Sequence, residues 1–273
     1  MKYIYKELSK KDQTILRGVI NTPDDFVKDK KYPTVIFYHG FGGDRNGKTF
    51  FRTTNARYLT DRGYVVVRFD FSGTNESDGS FYDMTVSREE EEALLIYNFV
   101  KIQSFVDKER IYLMGHSLGG VIASLVAHKV KPYKICLLAP ASDMNNKDYL
   151  KVMFESIYKD KIQSEANEDV KDLSFDDLVK DVEDMDIGGL RLNKKFLEDF
   201  LKKDIYKEAS KYDGEVLIIR GDRDELVFRD SNVRLTESYP NAKYVEISDT
   251  NHDFTDENIR QEVFKIMYEF FEE

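Results

Sequence analysis

Gly115-His116-Ser117-Leu118-Gly119 is the stretch with the plainest capacity for chemistry: a serine with a glycine two residues away on each side. The apolar run Ile111–Met114 precedes it, and Val121, Ile122, Leu125 and Val126 follow at helical spacing. The serine is therefore expected on a turn between a strand and a helix. A residue on such a turn adopts a strained backbone conformation, costing about 1–3 kcal/mol, while the glycines leave room for neighbouring chain. Its hydroxyl would then stand free at the carboxyl edge of a sheet. Chance alone places this pattern in about one chain in ten of this length, so the context has to carry the argument.

Serine is a weak nucleophile at neutral pH. It needs a general base, and the base needs an anion that fixes its tautomer and stabilises the imidazolium. Four histidines are present. His39 and His116 sit within turn motifs and His128 lies late in a predicted helix, which leaves His252, in a loop after the last predicted strand. Asp224, just beyond the apolar run Val216–Ile219, is the candidate acid, and Asp222 is its competitor. The chain order serine, acid, histidine is one of the known arrangements of such a triad. Acyl transfer also needs backbone donors for the oxyanion. The N–H of Leu118, at a helix amino terminus, and the N–H of Phe41, in His39-Gly40-Phe41-Gly42-Gly43, are the candidates.

These residues must be positioned by regular elements, and the chain alternates accordingly. Residues 3 to 8 and 14 to 20 read as a hairpin turning at Lys10-Lys11-Asp12-Gln13. Thr34–Tyr38 is a continuous apolar and β-branched run of the buried-strand type, ending in the glycine-rich loop. A helix is expected near 48 to 62, a strand over 64 to 69, a helix over 89 to 106, strands at 111 to 114 and 134 to 138, and a helix over 118 to 129. Repeated strand-helix-strand units imply an α/β class with a mostly parallel sheet and helices on both faces. The pattern resumes with a strand at 216 to 220, a helix near 229 to 238, a strand at 243 to 247 and a helix from about 256 to 271.

Between these halves the alternation stops. Residues 142 to 210 are heavily charged, with helical periodicity and no strong strand, and are too long for a plain loop. Tyr149, Val152, Met153, Ser156 and Ile157 form a weakly amphipathic face, Ser174 with Asp177 resembles a capping box ahead of Leu178 and Val182, and Gly188-Gly189 marks a turn. The expectation is a core of residues 1–141 and 211–273 carrying an inserted cap, 142–210. Tyr149, Met153, Phe154, Phe175, Phe196 and Phe200 are the candidates to pack inward over the serine.

Composition narrows the class. The chain has 273 residues, 41% of them hydrophobic, enough for one large domain with an insertion. A formal charge of −10, with lysines interleaved among acids, argues against nucleic acid as a partner. No apolar run approaches the roughly 20 residues of a membrane span, and the first residues lack a signal-peptide core, so the expected location is the cytoplasm. The lone Cys136, in Ile135-Cys136-Leu137-Leu138, is expected to be a buried strand residue rather than part of a metal cluster. No metal or organic cofactor is expected, the expected partner is a small-molecule ester, and a homodimer stays open.

His39-Gly40-Phe41-Gly42-Gly43, Gly115-His116-Ser117-Leu118-Gly119-Gly120, Gly221-Asp222-Arg223-Asp224 and Asn251-His252 together resemble the α/β-hydrolase superfamily across nearly the whole chain, and within it the bacterial cinnamoyl or feruloyl esterases. The resemblance implies a serine carboxylesterase acting through an acyl-enzyme on hydroxycinnamoyl or similar small aromatic or medium acyl esters. Its nucleophile, acid and base carry over to Ser117, Asp224 and His252, its oxyanion donors to the amides of Phe41 and Leu118, and its cap to the segment after Ala139. Two places depart from the pattern. The loop after the second long strand reads Gly73-Thr74-Asn75-Glu76-Ser77 where relatives often have Gly-His-Gly-x-Ser, and Leu226-Val227-Phe228 lacks the proline many place after the valine. An acylglycerol lipase-like esterase, a serine peptidase and a hydrolase-fold binding protein without catalysis are the alternatives.

Overall fold

In a computed structural model, which describes residues 1–143, 146–151, 175–176 and 183–273, the chain opens with the antiparallel hairpin of β1 (Lys2–Ser9) and β2 (Ile15–Thr22). There follow β3 (Tyr32–Tyr38), α1 (Phe51–Thr60), β4 (Val65–Phe69), α2 (Val86–Lys101), β5 (Val106–His116), α3 (Leu118–Val130) and β6 (Lys134–Leu138). Short elements come next: β7 (Asp184–Asp186), β8 (Arg191–Asn193), α4 (Lys195–Phe200) and α5 (Ile205–Ala209). The chain ends with β9 (Glu215–Gly221), α6 (Arg229–Ser238), β10 (Ala242–Ile247) and α7 (Glu257–Glu272). One eight-stranded sheet, in the order β1-β2-β4-β3-β5-β6-β9-β10, runs parallel from β4 to β10.

The central strands are apolar over most of their length because each face of the sheet is covered, and the two-residue period sorts their side chains. Ile36, Val67, Leu113, Leu137 and Ile218 point to the face packed by α2 and α3, where Ala93, Ile96, Val121 and Leu125 lie. Val35, Val66, Met114, Cys136 and Leu217 point to the opposite face, under Phe51, Leu59, Phe264 and Met267 of α1 and α7. Side-chain caps start the long helices. Thr85 accepts from the N–H of Arg88 ahead of α2, and Asp256 accepts from that of Ile259 ahead of α7.

Two boundaries differ from the sequence reading. The helix expected over 89–106 begins three residues earlier, behind Thr85, and ends at Lys101. The Gln103 side chain caps the Phe99 carbonyl, and Phe105 and Val106, apolar enough to pass for helix, instead enter the core beside Tyr32. The strand expected at 111–114 is the inner part of the longer β5. Within 142–210 a small antiparallel hairpin, β7 with β8, turns at Gly188-Gly189 where no strand was expected; three-residue strands carry too few side chains to show a period. Ile205, Ala209 and Tyr212 join the main core. The faces predicted around Val152, Met153, Phe154, Ser156 and Ile157, and the capping box at Ser174 and Asp177 with Leu178 and Val182, lie outside the described residues.

Candidate active site

The chain leaves β3 for β4 on one side and returns to β5 on the other, so the loops after β3 and β5 diverge and open a crevice at the carboxyl edge of the sheet. Ser117 emerges there, with φ 56° and ψ −120° in a region costly to any residue bearing a Cβ. The turn is pinned to the end of β6. The Ser117 N–H donates to the Leu138 carbonyl at 2.9 Å, and the Ser117 carbonyl accepts from Gly120 at 2.9 Å and Ala141 at 3.3 Å. A Cβ at Gly115 would run into the carbonyl of Gly119, and one at Gly119 into the carbonyl of Tyr38, so both positions need glycine for close approach. Among the described residues Ser117 Oγ has no hydrogen-bond partner, and the residue lines an open cavity.

Asp224 and His252 come from the loops after β9 and β10. His252 Nδ1 donates to Asp224 Oδ2 at 2.8 Å, and the other carboxylate oxygen accepts the N–H groups of Leu226 and Val227, both at 2.9 Å. Burial alone would raise the Asp224 carboxyl; the hydrogen bond and charge of His252, with the two backbone donors, outweigh it and hold the group below its ordinary value. Arg220 braces this loop by donating to the carbonyls of Asp224 at 2.8 Å and Val227 at 2.9 Å. Asp222 is exposed and accepts from the Thr250 N–H at 3.3 Å.

The two histidines read as turn residues have structural work at this site. His116 Nε2 lies 2.9 Å from the His252 carbonyl, and burial, then the charges of His252 and Arg52, lower its pKa to about 3. The ring is neutral, so Nε2 carries the hydrogen and donates, tying the residue before the serine to the backbone of His252. His39 is lowered to about 4 by burial and by Arg52; its Nε2 accepts from the Phe71 N–H at 3.0 Å, and its Nδ1–H donates to the Gly40 carbonyl at 2.9 Å. That fixes the glycine-rich loop. A Cβ at Gly40 would stand 3.1 Å from the Ser117 Cβ, so the loop lies directly on the serine turn. Among the described residues no acceptor engages the N–H of Phe41 or of Leu118.

Ser117, His252, Phe41 and Leu118 line one cavity of about 350 Å³, with Asp224 behind His252. Its wall is largely aromatic. Phe196 stacks on Phe200 at 5.3 Å between centroids and meets Phe41 at 5.1 Å, and Tyr149 completes the lining. Of the residues expected to pack inward, Tyr149, Phe196 and Phe200 do so, Phe175 is buried in the main core, and Met153 and Phe154 lie outside the described residues. Sequence reasoning missed Lys48, Arg52 and Asp253, which also line the cavity. Only the adjacency of Asp253 to His252 offered a signal. The loop Gly73–Ser77, unlike the usual pattern, is held by Ser77 Oγ donating to the Asp70 carbonyl at 2.7 Å and by Thr74 Oγ1 donating to the Phe71 carbonyl at 2.8 Å.

Comparison with known proteins agrees with this architecture. The sequence model of the family described as serine aminopeptidase, S33, matches residues 29–258. A structure of Est1E from Butyrivibrio proteoclasticus with ferulic acid bound superposes with a TM-score of 0.77 over 98% of both chains, at 24% identity, a likeness of fold. An uncharacterized 31.7 kDa protein from the traX-finO intergenic region of Escherichia coli is 34% identical over 90 residues, 33% of this chain and 30% of that one. Lysophosphatidylserine lipase ABHD12 of Danio rerio is 33% identical over 96 residues, 35% of this chain and 23% of that one. The alignments thus span under a third of either relative's length.

Proposed function

Since the chain belongs to the serine aminopeptidase, S33, family and has the α/β-hydrolase fold, we propose that it is a serine carboxylesterase acting through an acyl-enzyme on small aromatic, hydroxycinnamoyl-like, or medium-chain acyl esters. One observation carries the reading: an open serine on a strained turn shares a cavity with a histidine whose far nitrogen is held by a buried carboxylate. His252 Nε2 takes the proton of Ser117 Oγ as the oxygen attacks the ester carbonyl. Asp224 keeps the hydrogen on Nδ1 and stabilises the imidazolium. The unengaged amides of Phe41 and Leu118 receive the oxyanion, an interaction worth roughly 3–4 kcal/mol per donor. The alcohol leaves with the proton from His252, and water, activated by the same nitrogen, frees the acid. Nothing in this sequence of steps calls on a metal or organic cofactor.

The aromatic wall of Phe41, Phe196, Phe200 and Tyr149 supports an apolar acyl group, and we read residues 142–210 as the cap that carries most of it. Acylglycerol hydrolysis is the second reading, supported by the partial alignment with a lysophosphatidylserine lipase. No helix among the described residues is long and apolar enough to cross a membrane, and a cytoplasmic location remains part of the proposal.

The test is labelling by a fluorophosphonate, with the modified residue found by peptide mapping, alongside hydrolysis of p-nitrophenyl esters, methyl hydroxycinnamates, monoacylglycerols and dipeptide amides. Ser117 should be labelled. Ser117→Ala should fold and lose turnover to a residue of about 10³–10⁴ over water. More than a few per cent of parental activity in that variant refutes the assignment, and preferential cleavage of amides refutes the ester class.

A further inference from the structure

Arg52, on the first turn of α1, is 4% exposed and lines the cavity. A buried guanidinium normally finds acceptors, because leaving it unpaired costs several kcal/mol. The other buried arginines conform: Arg45 pairs with Asp70 and Glu76, Arg68 donates to Asn21, Thr53 and the Arg45 carbonyl, and Arg220 to two carbonyls and Glu246. Arg52 does not. Its Nε is fully buried without an acceptor, and among the described residues no hydrogen bond or ion pair reaches its guanidinium.

The acids whose charges act on Arg52 each hold another donor, and among the described residues none forms an ion pair with its guanidinium. Asp44 accepts the N–H groups of Asn46 and Gly47, Asp70 holds Arg45, and Asp253, which lines the same cavity, pairs with Lys48 at 2.8 Å. The guanidinium is fitted closely beneath the glycine-rich loop. A Cβ at Gly43 would stand 3.1 Å from Nη2 and one at Gly47 2.5 Å from Nη1, while the Phe37 ring supports it at 5.8 Å. Burial lowers its pKa, against the opposing charges of Asp44, Asp253 and Asp70, to about 10, so it stays charged at neutral pH.

We propose that Arg52 is an anion-recognition residue, and that the ester substrate carries an oxyanionic group, carboxylate or phosphate, which supplies the acceptor the fold withholds. The cavity then has two ends: the aromatic wall of Phe41, Phe196 and Phe200 for the acyl group, and the end where the unpaired Arg52 lies with the Lys48–Asp253 ion pair, for the charge. This inference rests on the esterase reading above and names the substrate class of that same site.

The experiment compares kcat/KM within two matched pairs: p-nitrophenyl butyrate against mono-p-nitrophenyl succinate, where the carboxylate is on the acyl side, and a monoacylglycerol against the acylglycerol phosphate of equal chain length, where the phosphate is on the alcohol side. The protein should favour the anionic member of at least one pair, and the favoured pair identifies the source of the charge. Arg52→Gln should cut that preference about 10- to 100-fold, the usual effect of a charged hydrogen bond, and Arg52→Lys should retain more of it. Equal loss on neutral and anionic esters would mean that Arg52 acts only on the oxyanion, and overturns the proposal. A measurement on the unaltered protein covers the case in which the variants do not fold: hexyl phosphate should inhibit p-nitrophenyl butyrate hydrolysis competitively at least tenfold more tightly than hexanol, and equal inhibition overturns the proposal. The two readings fail differently. No turnover of any ester, with Ser117 unlabelled, refutes the esterase; turnover of neutral esters without preference for the charged ones refutes the anion site alone.

Discussion

Replacing Asp224 by asparagine isolates what the carboxylate does, because the structure dictates how the amide would sit. Oδ1 of Asp224 accepts two backbone N–H groups, from Leu226 and Val227. Only the carbonyl oxygen of asparagine can take that position, so the NH₂ group must face His252. It donates to Nδ1, which then has to be the bare nitrogen, and the ring hydrogen moves to Nε2. The nitrogen that should accept the Ser117 proton is thereby blocked, while the fold keeps its two backbone hydrogen bonds. By analogy with the same change in a serine protease, turnover should fall about 10⁴-fold, or about 5.4 kcal/mol at 1.36 kcal/mol per decade. Asp222→Asn provides the control. Asp222 is exposed, its 3.3 Å hydrogen bond to Thr250 survives in the amide, and turnover should change by less than about threefold. Initial rates on p-nitrophenyl butyrate, with circular dichroism to confirm folding, decide the matter. A loss under tenfold in Asp224→Asn, or a larger loss in Asp222→Asn, refutes the tautomer argument.

Three further perturbations follow from particular contacts. Arg220→Met strips the donors from the carbonyls of Asp224 and Val227, so thermal denaturation should register a loss of about 1–3 kcal/mol per stranded carbonyl and kcat should fall as the acid's loop loosens; unchanged stability and rate would mean that Arg220 does not brace the acid. Phe196→Ala opens the wall between Phe41 and Phe200, and should raise KM for aromatic and medium-chain esters while sparing acetyl esters, an outcome read from a chain-length series; an unaltered ranking would remove Phe196 from the specificity wall. Glu89 is buried with one oxygen unpartnered, and burial, then the charge of Glu92, push its pKa well above the ordinary glutamate value of 4.5. The folded state therefore holds this proton more tightly than the unfolded chain, so ionisation costs stability as pH rises above about 4.5. Glu89→Gln should raise the melting temperature near pH 7, by roughly 1–3 kcal/mol in stability, with the gain vanishing near pH 4; a pH-independent gain would contradict this origin.

Much of the frame was readable because the strands that position the site are buried on both faces. Thr34–Tyr38, Ile111–Met114 and Val216–Ile219 are apolar or β-branched over most of their length, as strands covered on both faces are, and the turns after them carry His39 to Gly43, Ser117 and Asp224. Boundaries were less legible where one residue type serves two elements. Phe105 and Val106 extend the apolar rhythm of α2, yet Phe105 ends a turn and Val106 begins β5, because pairing beside Tyr32 and burial against the core outweigh one more helical turn. Residues 184–193 form a hairpin held by a few hydrogen bonds, with Met185 and Leu192 as its buried side chains, too short a run for alternation to stand out among charges.

The candidate site divides in the same physical way. Ser117, Asp224 and His252 announce themselves because their chain order and their places after apolar runs are local properties of the sequence. Arg52 announces nothing. It stands in Phe51-Arg52-Thr53-Thr54, where an arginine on a helix is ordinarily solvated, and its burial depends on Gly43 and Gly47 yielding space, on Phe37 supplying a face, and on Asp44, Asp70 and Asp253 each being taken by another donor. None of these conditions is local. A charge without an ion-pair partner thus becomes visible only when the contacts of the acids around it, Asp44, Asp70 and Asp253, are followed in the folded chain. A nucleophile can be found from the groups that are present; a recognition residue of this kind is found from the acceptor that is missing.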